Sequence, residues 1–265
     1  MGEAIVITSG KGGVGKTTSS ANIGTALALS GKKVCMVDTD IGLRNLDVVM
    51  GLENRIIFDI VDVVTKQCRL EQALIKDKRF DHLYLLPASQ TKDKSALTPE
   101  SVKTVIVALK EQFDYVIIDC PAGIEQGFKI AISGADKAIV VTNPEAAAVR
   151  DADRVIGLLE AAKLNQPKLV VNRIRPHMVE DGTMLDLDEI VALLAIDLLG
   201  VVPDDDGVIK GSNTGEPVVM NPNAKAGMAY RNIARRILGD SVPLMNLQDE
   251  IGFFGKVKRM IGFGK

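Results

Sequence analysis

The sequence predicts an α/β fold in three α/β/α layers, with a mostly parallel central sheet of about seven to eight strands and helices on both faces. The first observation behind this prediction is a set of seven short apolar runs, with longer helical patterns between most of them. Near-continuous apolar runs are typical of parallel strands that are covered on both faces. The runs are 4–7, 34–37, 83–86, 115–118, 138–141, 168–171 and 199–202.

The second observation is a glycine-rich loop after the first run. Residues 10–18 read Gly-Lys-Gly-Gly-Val-Gly-Lys-Thr-Thr, which matches the phosphate-binding pattern G-x-x-x-x-G-K-[ST] and predicts a P-loop NTPase. An alanine-rich helix is expected from Thr17 to Leu29, with Gly31 as its C-cap. Backbone N–H groups of the loop and the positive end of the helix would bind phosphate oxygens. The expected phosphate-binding residues are Lys11, Gly12, Gly13, Val14, Gly15, Lys16, Thr17 and Thr18. Of these, Lys16 is a candidate catalytic residue that reaches the β- and γ-phosphates, and the Thr17 hydroxyl is expected to bind Mg²⁺ directly.

Two acidic clusters follow later runs. Asp38 and Asp40 come after the second run, and Asp119 comes after the fourth. Parallel sheets place ligands at the carboxyl ends of their strands, so these carboxylates are expected to face the phosphate loop. Asp119, in the Walker B position, and Asp38 are expected to hold Mg²⁺ directly or through water, whereas Asp40 would position the attacking water as a catalytic residue. Taken singly, each acid has an alternative interpretation as a helix N-cap.

Further candidate residues follow the remaining strands. Gly123 is a candidate switch residue that responds to the γ-phosphate, or else an ordinary turn glycine. Asn172 follows the sixth run, and Pro203 and Asp204 follow the seventh. An amide offers a donor and an acceptor in one plane, which suits the adenine edge, and backbone beyond Pro203 would complete the base pocket.

Length and composition favour one large cytosolic domain. The chain has 265 residues, 46% of them hydrophobic, and we expect domain boundaries at 1–240 for the nucleotide-binding domain and 241–250 for a flexible linker. The three cysteines and two histidines lack the spacing of a metal site, so no zinc or iron is expected. The first strand begins too early to leave room for a signal peptide, and no run is long enough to span a membrane.

The segment 251–265 has a different character from the rest of the chain. It carries four basic residues and no acid, so its charge is +4, against a formal net charge of −2 for the whole chain and therefore −6 for the remainder. At 100° per residue, most of its apolar side chains fall within a sector of about 120°, flanked by basic ones, which is typical of an interfacial membrane helix. The alternative is a helix that docks on its own domain or in a protein groove. The expected membrane-binding residues are Phe253, Phe254, Lys256, Val257, Lys258, Arg259, Met260, Ile261 and Phe263.

The extra lysine of the loop points to a particular family. The segment from Lys11 to Thr18 is similar to the deviant Walker A loop of the MinD/ParA family of ATPases, and residues 37–47, 118–125 and the C-terminal segment resemble the same family. The resemblance implies ATP and Mg²⁺ as cofactors, and a homodimer that forms on ATP. It also implies that Lys11 is catalytic by contacting the nucleotide of the other subunit. Hydrolysis would be slow and stimulated by partner and membrane.

The resemblance also implies a cellular role. Such a protein is cytoplasmic and peripheral on the cytoplasmic face of the inner membrane, where it binds anionic lipids. It recruits the division inhibitor MinC, which blocks septum formation away from mid-cell, while MinE or a polar adaptor sets the place. No specific nucleic acid is expected as a partner. The segment 149–159 resembles the partner-binding helix of the family, so Asp151 and Asp153 are candidate partner contacts, the alternative being an ordinary solvated helix face.

Other functions remain open on the sequence. A ParA-type DNA-partitioning ATPase shares the loop and acids but needs a basic surface with salt-sensitive binding, which the body charge of −6 disfavours. A flagellar-number ATPase of the same group would differ in its partner. An enzyme of the nitrogenase iron-protein type needs a paired-cysteine cluster site, and a scaffold would ignore nucleotide state.

Overall fold

The computed structural model describes residues 1–92 and 96–245 and contains an eight-stranded sheet. The strands lie in the order β3-β4-β2-β5-β1-β6-β7-β8, and every neighbouring pair is parallel except β3 with β4. All seven apolar runs are strands, which confirms the predicted fold class. The strands are β1 Glu3–Thr8, β2 Val34–Asp38, β3 Ile75–Lys76, β4 Leu83–Leu86, β5 Tyr115–Asp119, β6 Lys137–Thr142, β7 Lys168–Ile174 and β8 Leu198–Pro203.

Helices cover both faces of this sheet. The α-helices are α1 Lys16–Leu29, α2 Leu46–Val49, α3 Ile60–Val64, α4 Leu70–Ala73, α5 Pro99–Lys110, α6 Gln126–Ile132, α7 Ala146–Ala161, α8 Pro176–Glu180, α9 Leu187–Leu194, α10 Asp206–Thr214 and α11 Lys225–Ile237. Short 3-10 helices span Glu53–Arg55 and Val218–Met220.

Successive side chains of each strand point to opposite faces of the sheet, so that a separate buried core lies on each face. In β1, Ala4 and Val6 belong to one buried cluster together with side chains of α3, α5, α6, α7 and α9. Ile5 and Ile7 belong to the other, together with α1, α2 and α11. Both faces of a strand are therefore apolar, which explains why these strands read as continuous apolar runs.

Helix α1 packs closely on the sheet. It begins one residue before the expected Thr17, and Ser30 is its C-cap, while Gly31 follows with a left-handed φ of +82°. A Cβ on Gly24 would lie 2.7 Å from the Met36 sulfur of β2, so the absence of a side chain allows the helix to approach the strand.

The strand order reverses around β1, which lies between β5 and β6. A crevice forms at such a point outside the carboxyl ends of the strands. The loops after β1, β2 and β5 all leave the sheet there, and these loops carry the predicted phosphate loop and acidic clusters.

The C-terminal predictions fall mostly outside the described residues. The expected linker 241–250 is described only at 241–245, and the expected membrane helix 251–265, with all nine of its candidate residues, is not described. Within the described part of the chain, no helix combines the length and the apolar character needed to cross a membrane.

Candidate nucleotide-binding site

The phosphate loop joins β1 to α1 in a conformation that requires glycine. Gly13 has φ of +80° and Gly15 has φ of +100°, both in the left-handed region. A Cβ on Gly15 would also lie 2.2 Å from Nδ2 of Asn172. Any side chain at position 15 would therefore both strain the backbone and displace a neighbouring strand end.

Lys16 is the first residue of α1 and its side chain is 7% exposed. Burial lowers the pKa of this ammonium group, whereas the nearby charges of Asp119 and Asp40 raise it. A lysine that is held in a pocket of low dielectric beside carboxylates is placed to neutralise a polyanion that enters the crevice.

Asp119 lies opposite the loop at the end of β5. One oxygen, Oδ2, accepts a hydrogen bond from Oγ1 of Thr17 at 2.8 Å, and Oδ1 accepts one from Oγ of Ser20 at 2.7 Å. Burial raises the pKa of Asp119 to about 6, although the hydrogen bonds from Ser20 and Thr17 and the charge of Lys16 oppose the shift.

The oxygens of Thr17 and Asp119 suit a hard divalent cation. Mg²⁺ is usually held by one or two protein oxygens, with phosphate and water oxygens completing its shell. In the described ranges, no group of three or more His, Cys, Asp or Glu side chains could hold a metal alone. The site therefore fits Mg²⁺ that arrives with a nucleotide.

Asp38 lies beside Asp119 on the neighbouring strand. It is fully buried, and its oxygens accept hydrogen bonds from the backbone N–H groups of Asp40 at 2.8 Å and Leu46 at 3.2 Å. Burial, and then the charge of Asp119, raise the pKa of Asp38 well above its usual range. These bonds tie the candidate catalytic residue Asp40 to the acid pair.

The loop between β2 and α2 is strained. Arg44 has a φ of +35°, which is uncommon for a residue other than glycine, and its Nε lies 2.9 Å from Oδ2 of the fully buried Asp47. Strained loops that flank a binding crevice are often elements that change conformation with the ligand.

The candidate adenine residues lie at the ends of β7 and β8. Nδ2 of Asn172 donates to the carbonyl of Val14 at 2.8 Å, so this amide braces the phosphate loop. The carboxylate of Asp204 accepts from Nε of Arg175 at 2.6 Å, and the Asp204 N–H donates to the carbonyl of Ile174 at 3.0 Å. Recognition of adenine by Asn172, Pro203 and Asp204 stays a prediction.

The phosphate loop also contacts helix α7. Nζ of Lys11 lies 3.6 Å from Oε2 of Glu145, the residue before α7, and both side chains are about half exposed. A Cβ on Gly10 would lie 2.2 Å from the carbonyl oxygen of Asp151. The half-buried Asp151 is therefore packed on the loop, whereas Asp153 is exposed.

Gly123 lies in the loop between β5 and α6. It has a left-handed φ of +89°, and a Cβ there would meet no atom within 4 Å. Glycine is thus favoured here by the positive φ and not by a lack of space. The role of Gly123 as a switch stays a prediction.

Three contacts of the site were missed in the sequence. Ser20 could have been found, because residues three apart on a helix share a face and Thr17 was already assigned. Asn143 follows β6 as Asn172 follows β7, and its amide nitrogen reaches the carbonyls of Val14 at 3.1 Å and Asn172 at 3.3 Å when it is turned toward the loop. Nothing in the sequence around Glu145 indicated a contact with the phosphate loop, because its partner Lys11 is remote in sequence.

Known proteins are similar to this chain in sequence and in fold. A family model described as AAA domain matches residues 2–171. Septum site-determining protein MinD of Bacillus subtilis is 67% identical over 265 residues, covering 99% of each chain. In solved structures, the MinC:MinD cell division protein complex of Aquifex aeolicus contains a chain with a TM-score of 0.86 and 49% identity, covering 92% of this chain and 98% of that one. Septum site-determining protein MinD of Pyrococcus horikoshii, complexed with Mg-ADP, has a TM-score of 0.83 and 30% identity, covering 91% of this chain and 100% of that one. The family model covers more than half of the chain and the Bacillus relative is similar along its whole length, so this chain belongs to the MinD family of cell-division regulators, within the MinD/ParA group of P-loop ATPases.

Proposed function

We propose that the protein hydrolyses ATP to ADP and phosphate as a slow timer of its own association with the membrane and with division proteins. The observation that carries this proposal is the convergence of Lys16, Thr17 and Asp119 at one crevice, with Thr17 and Asp119 hydrogen-bonded at 2.8 Å. A phosphate loop, a buried lysine and a strand-end carboxylate are the parts that phosphoryl transfer from a nucleotide requires.

ATP and Mg²⁺ are the proposed cofactors. Mg²⁺, when bound, would supply positive charge that offsets the negative charge developing on the phosphates. Thr17 would hold the ion, with Asp119 and Asp38 holding it directly or through water. Asp40 would position the attacking water. The Mg-ADP in the Pyrococcus relative supports this assignment.

Dimerisation on ATP is the second part of the proposal. The Lys11 side chain is 47% exposed, and its Nζ lies 3.6 Å from Oε2 of the exposed Glu145. An ion pair that is this exposed to water contributes little stability. Its ammonium group is therefore available to reach a nucleotide in a second copy, where it would offset charge in the transition state. Gly123 would allow its loop to change conformation when the γ-phosphate is bound, and so to alter the surface on which the two copies meet.

The proposed partners are MinC, and MinE or a polar adaptor. The Aquifex structure, which contains both MinC and MinD, supports the first of these. Helix α7 is the proposed partner surface, with Asp153 exposed on it and Asp151 packed on the phosphate loop. Partner binding at α7 would thereby reach the ATPase site through a direct contact.

Membrane association is proposed for the segment 251–265, which follows the expected linker 241–250. Its basic and aromatic composition suits an anionic lipid surface, and a single segment would bind weakly. Two segments on one ATP-bound dimer would bind together with much greater avidity. The protein would then alternate between the cytoplasm and the inner face of the cell membrane, where it would hold MinC and so block septum formation away from mid-cell.

Co-sedimentation with anionic liposomes, in ATP and in ADP at one fixed salt concentration, tests this proposal. We expect strong pelleting in ATP and weak pelleting in ADP, and loss of the difference in Lys16→Ala, which lacks the phosphate-binding lysine. Equal pelleting of the unchanged protein in both nucleotides, or none in either, would refute nucleotide-gated membrane binding.

A further inference from the structure

Arg236, in the last turn of α11, holds three backbone carbonyls. Its Nε donates to Val242 at 2.9 Å, Nη1 to Leu199 at 2.9 Å and Nη2 to Pro243 at 2.7 Å. Leu199 lies in β8, the edge strand of the sheet, whereas the other two lie beyond the helix. One side chain thus joins the helix end, the sheet edge and the departing chain.

The residues 240–245, which we call the exit segment, fold back against the domain. The chain turns at Gly239, with φ of +96°, and the N–H of Asp240 donates to the carbonyl of Arg235 at 2.9 Å. Met245 packs against the core beneath α1 and α11. The exit segment is therefore held at both its beginning and its end.

An arginine is specifically suited to this task. Its planar guanidinium directs five N–H donors along fixed directions, so that it can bind several carbonyls at once. A lysine carries the same charge at a single point and lacks the fixed fork of donors that meets the carbonyls of Leu199, Val242 and Pro243. The geometry therefore depends on the guanidinium and not on charge alone.

We propose that Arg236 is a positioning residue for membrane binding, because it fixes residues 242 and 243 on the ATPase domain. It thereby sets the tether length, by which we mean the number of residues between the held chain and the membrane-binding residues. The inference rests on the proposed membrane-binding function. With the exit segment held, seven residues, 246–252, separate the domain from Phe253; with it released, thirteen, 240–252, do so.

The tether length matters because two segments must engage one surface together. The effective concentration of the second segment falls as roughly the −3/2 power of tether length, so release of the exit segment lowers it about 2.5-fold. The binding of one segment alone does not depend on this length. Loss of Arg236 should thus weaken lipid binding in ATP and leave the weak binding in ADP unchanged.

The experiment is a lipid titration by co-sedimentation, in ATP and in ADP, with the full-length protein, Arg236→Gln and Arg236→Lys. We expect the half-saturating lipid concentration in ATP to rise in both variants, by up to about 2.5-fold, which is the value for full release of residues 240–245. Hydrogen exchange of the 240–245 backbone should become faster in both. Basal ATPase activity should stay close to that of the unchanged protein, because Arg236 lies at the start of β8, at the opposite end of the strands from the nucleotide crevice.

Two controls separate tether length from charge. Arg236→Lys keeps the positive charge but loses the guanidinium, and should bind lipid in ATP as weakly as Arg236→Gln. Insertion of six Gly or Ser residues after Met245 lengthens the tether without touching Arg236, and should reproduce the weaker binding in ATP.

The outcomes distinguish this inference from the function on which it rests. Lack of ATP-dependent pelleting in the unchanged protein would defeat the proposed function itself. If that pelleting is present but Arg236→Gln binds as tightly as the unchanged protein, or if the insertion has no effect, the positioning role is overturned. A parallel fall in basal ATPase activity would also overturn it, since the effect would then run through the nucleotide site.

Discussion

Asp38 and Asp119 are paired residues at the carboxyl ends of the neighbouring parallel strands β2 and β5, and both carboxyl groups are almost fully buried. Burial raises the pKa of each group, to about 6 for Asp119. Two acids held this closely in a site of low dielectric cost stability when both are charged. The crevice is thus prepared for a cation at the expense of the nucleotide-free protein.

A pH dependence of stability follows from this pair. Asp119 has a folded-state pKa above its ordinary value of 3.8, so its stabilising contribution is full below about 3.8 and is lost as pH rises through about 6. In the absence of nucleotide and Mg²⁺, we expect the free energy of unfolding to fall between pH 4 and pH 7. Asp119→Asn should reduce this fall and be more stable at pH 7.5, by on the order of 2 kcal/mol.

Denaturant unfolding at several pH values measures this effect. The hydroxyl that faces the new amide nitrogen can turn to accept from it, while the other hydroxyl still donates to the amide oxygen, so both hydrogen bonds of this position can be kept. The matched control is Asp81→Asn, which makes the same substitution at an exposed position outside the crevice. If Asp119→Asn has the same pH dependence of stability as the unchanged chain, the buried Asp119 carboxyl is not the source of that dependence.

Mixing of inactive variants tests the action of Lys11 in a second subunit. We expect Lys11→Ala and Asp40→Ala each to hydrolyse ATP poorly, because one lacks the lysine supplied to its partner and the other lacks the acid beside its own nucleotide. A mixture should recover up to about one quarter of the full rate, since half of random dimers are mixed and each holds one intact site.

Lys16 provides the control for this mixture. It belongs to the subunit that binds the nucleotide, so Lys16→Ala mixed with Asp40→Ala has no intact site and should recover nothing. Steady-state phosphate release measures both mixtures. Normal turnover of Lys11→Ala alone would show that no lysine is needed in trans.

Asn172 has two candidate roles, and a comparison of ATP with GTP affinity distinguishes them. Its amide donates a hydrogen bond to the carbonyl of Val14 at 2.8 Å. The same residue is predicted to bind the edge of the adenine. We expect Asn172→Ala to weaken ATP binding about tenfold and GTP binding less, because a lost base contact is worth roughly 1.4 kcal/mol. Asn143→Ala, which loses only a bracing contact, should weaken both nucleotides equally.

Calorimetry or fluorescence titration with ATP and GTP measures these affinities. Equal losses for both nucleotides in Asn172→Ala would assign this residue to the support of the phosphate loop and remove it from the base pocket.

The strands and the phosphate loop could be predicted from local sequence, whereas the contacts between distant segments could not. Each parallel strand is apolar on both faces, so runs such as 115–118 stand out. The antiparallel strand Ile75–Lys76 was not predicted, because two residues are too few to show a period. The acids after β2 and β5 were found because strand ends mark the crevice. Nothing local, however, places Asp151 against Gly10 or Arg236 against Leu199, since these contacts arise only when the helices pack.

Helix α7 offers a last prediction, in which two neighbouring acids should behave differently. Asp153 is exposed, whereas the backbone of Asp151 packs against Gly10 of the phosphate loop. We expect Asp153→Lys to weaken MinC binding at least about tenfold, because charge reversal in an interface replaces attraction by repulsion, and to leave ATP affinity unchanged. Asp151→Lys should weaken MinC binding and also alter ATP turnover.

The matched control is Glu160→Lys, which makes the same charge change on an exposed position of α7 two helical turns from Asp153. Binding of purified MinC to the ATP-bound protein, measured beside ATP affinity and basal turnover, tests all three variants. Because residues seven apart lie on the same face of a helix, normal MinC binding by Glu160→Lys would confine the contact to the first half of α7, next to the phosphate loop. If Asp153→Lys binds MinC normally, the partner surface lies elsewhere, and the contact between Asp151 and Gly10 then serves the packing of α7 on the loop and not the passage of a signal from a partner.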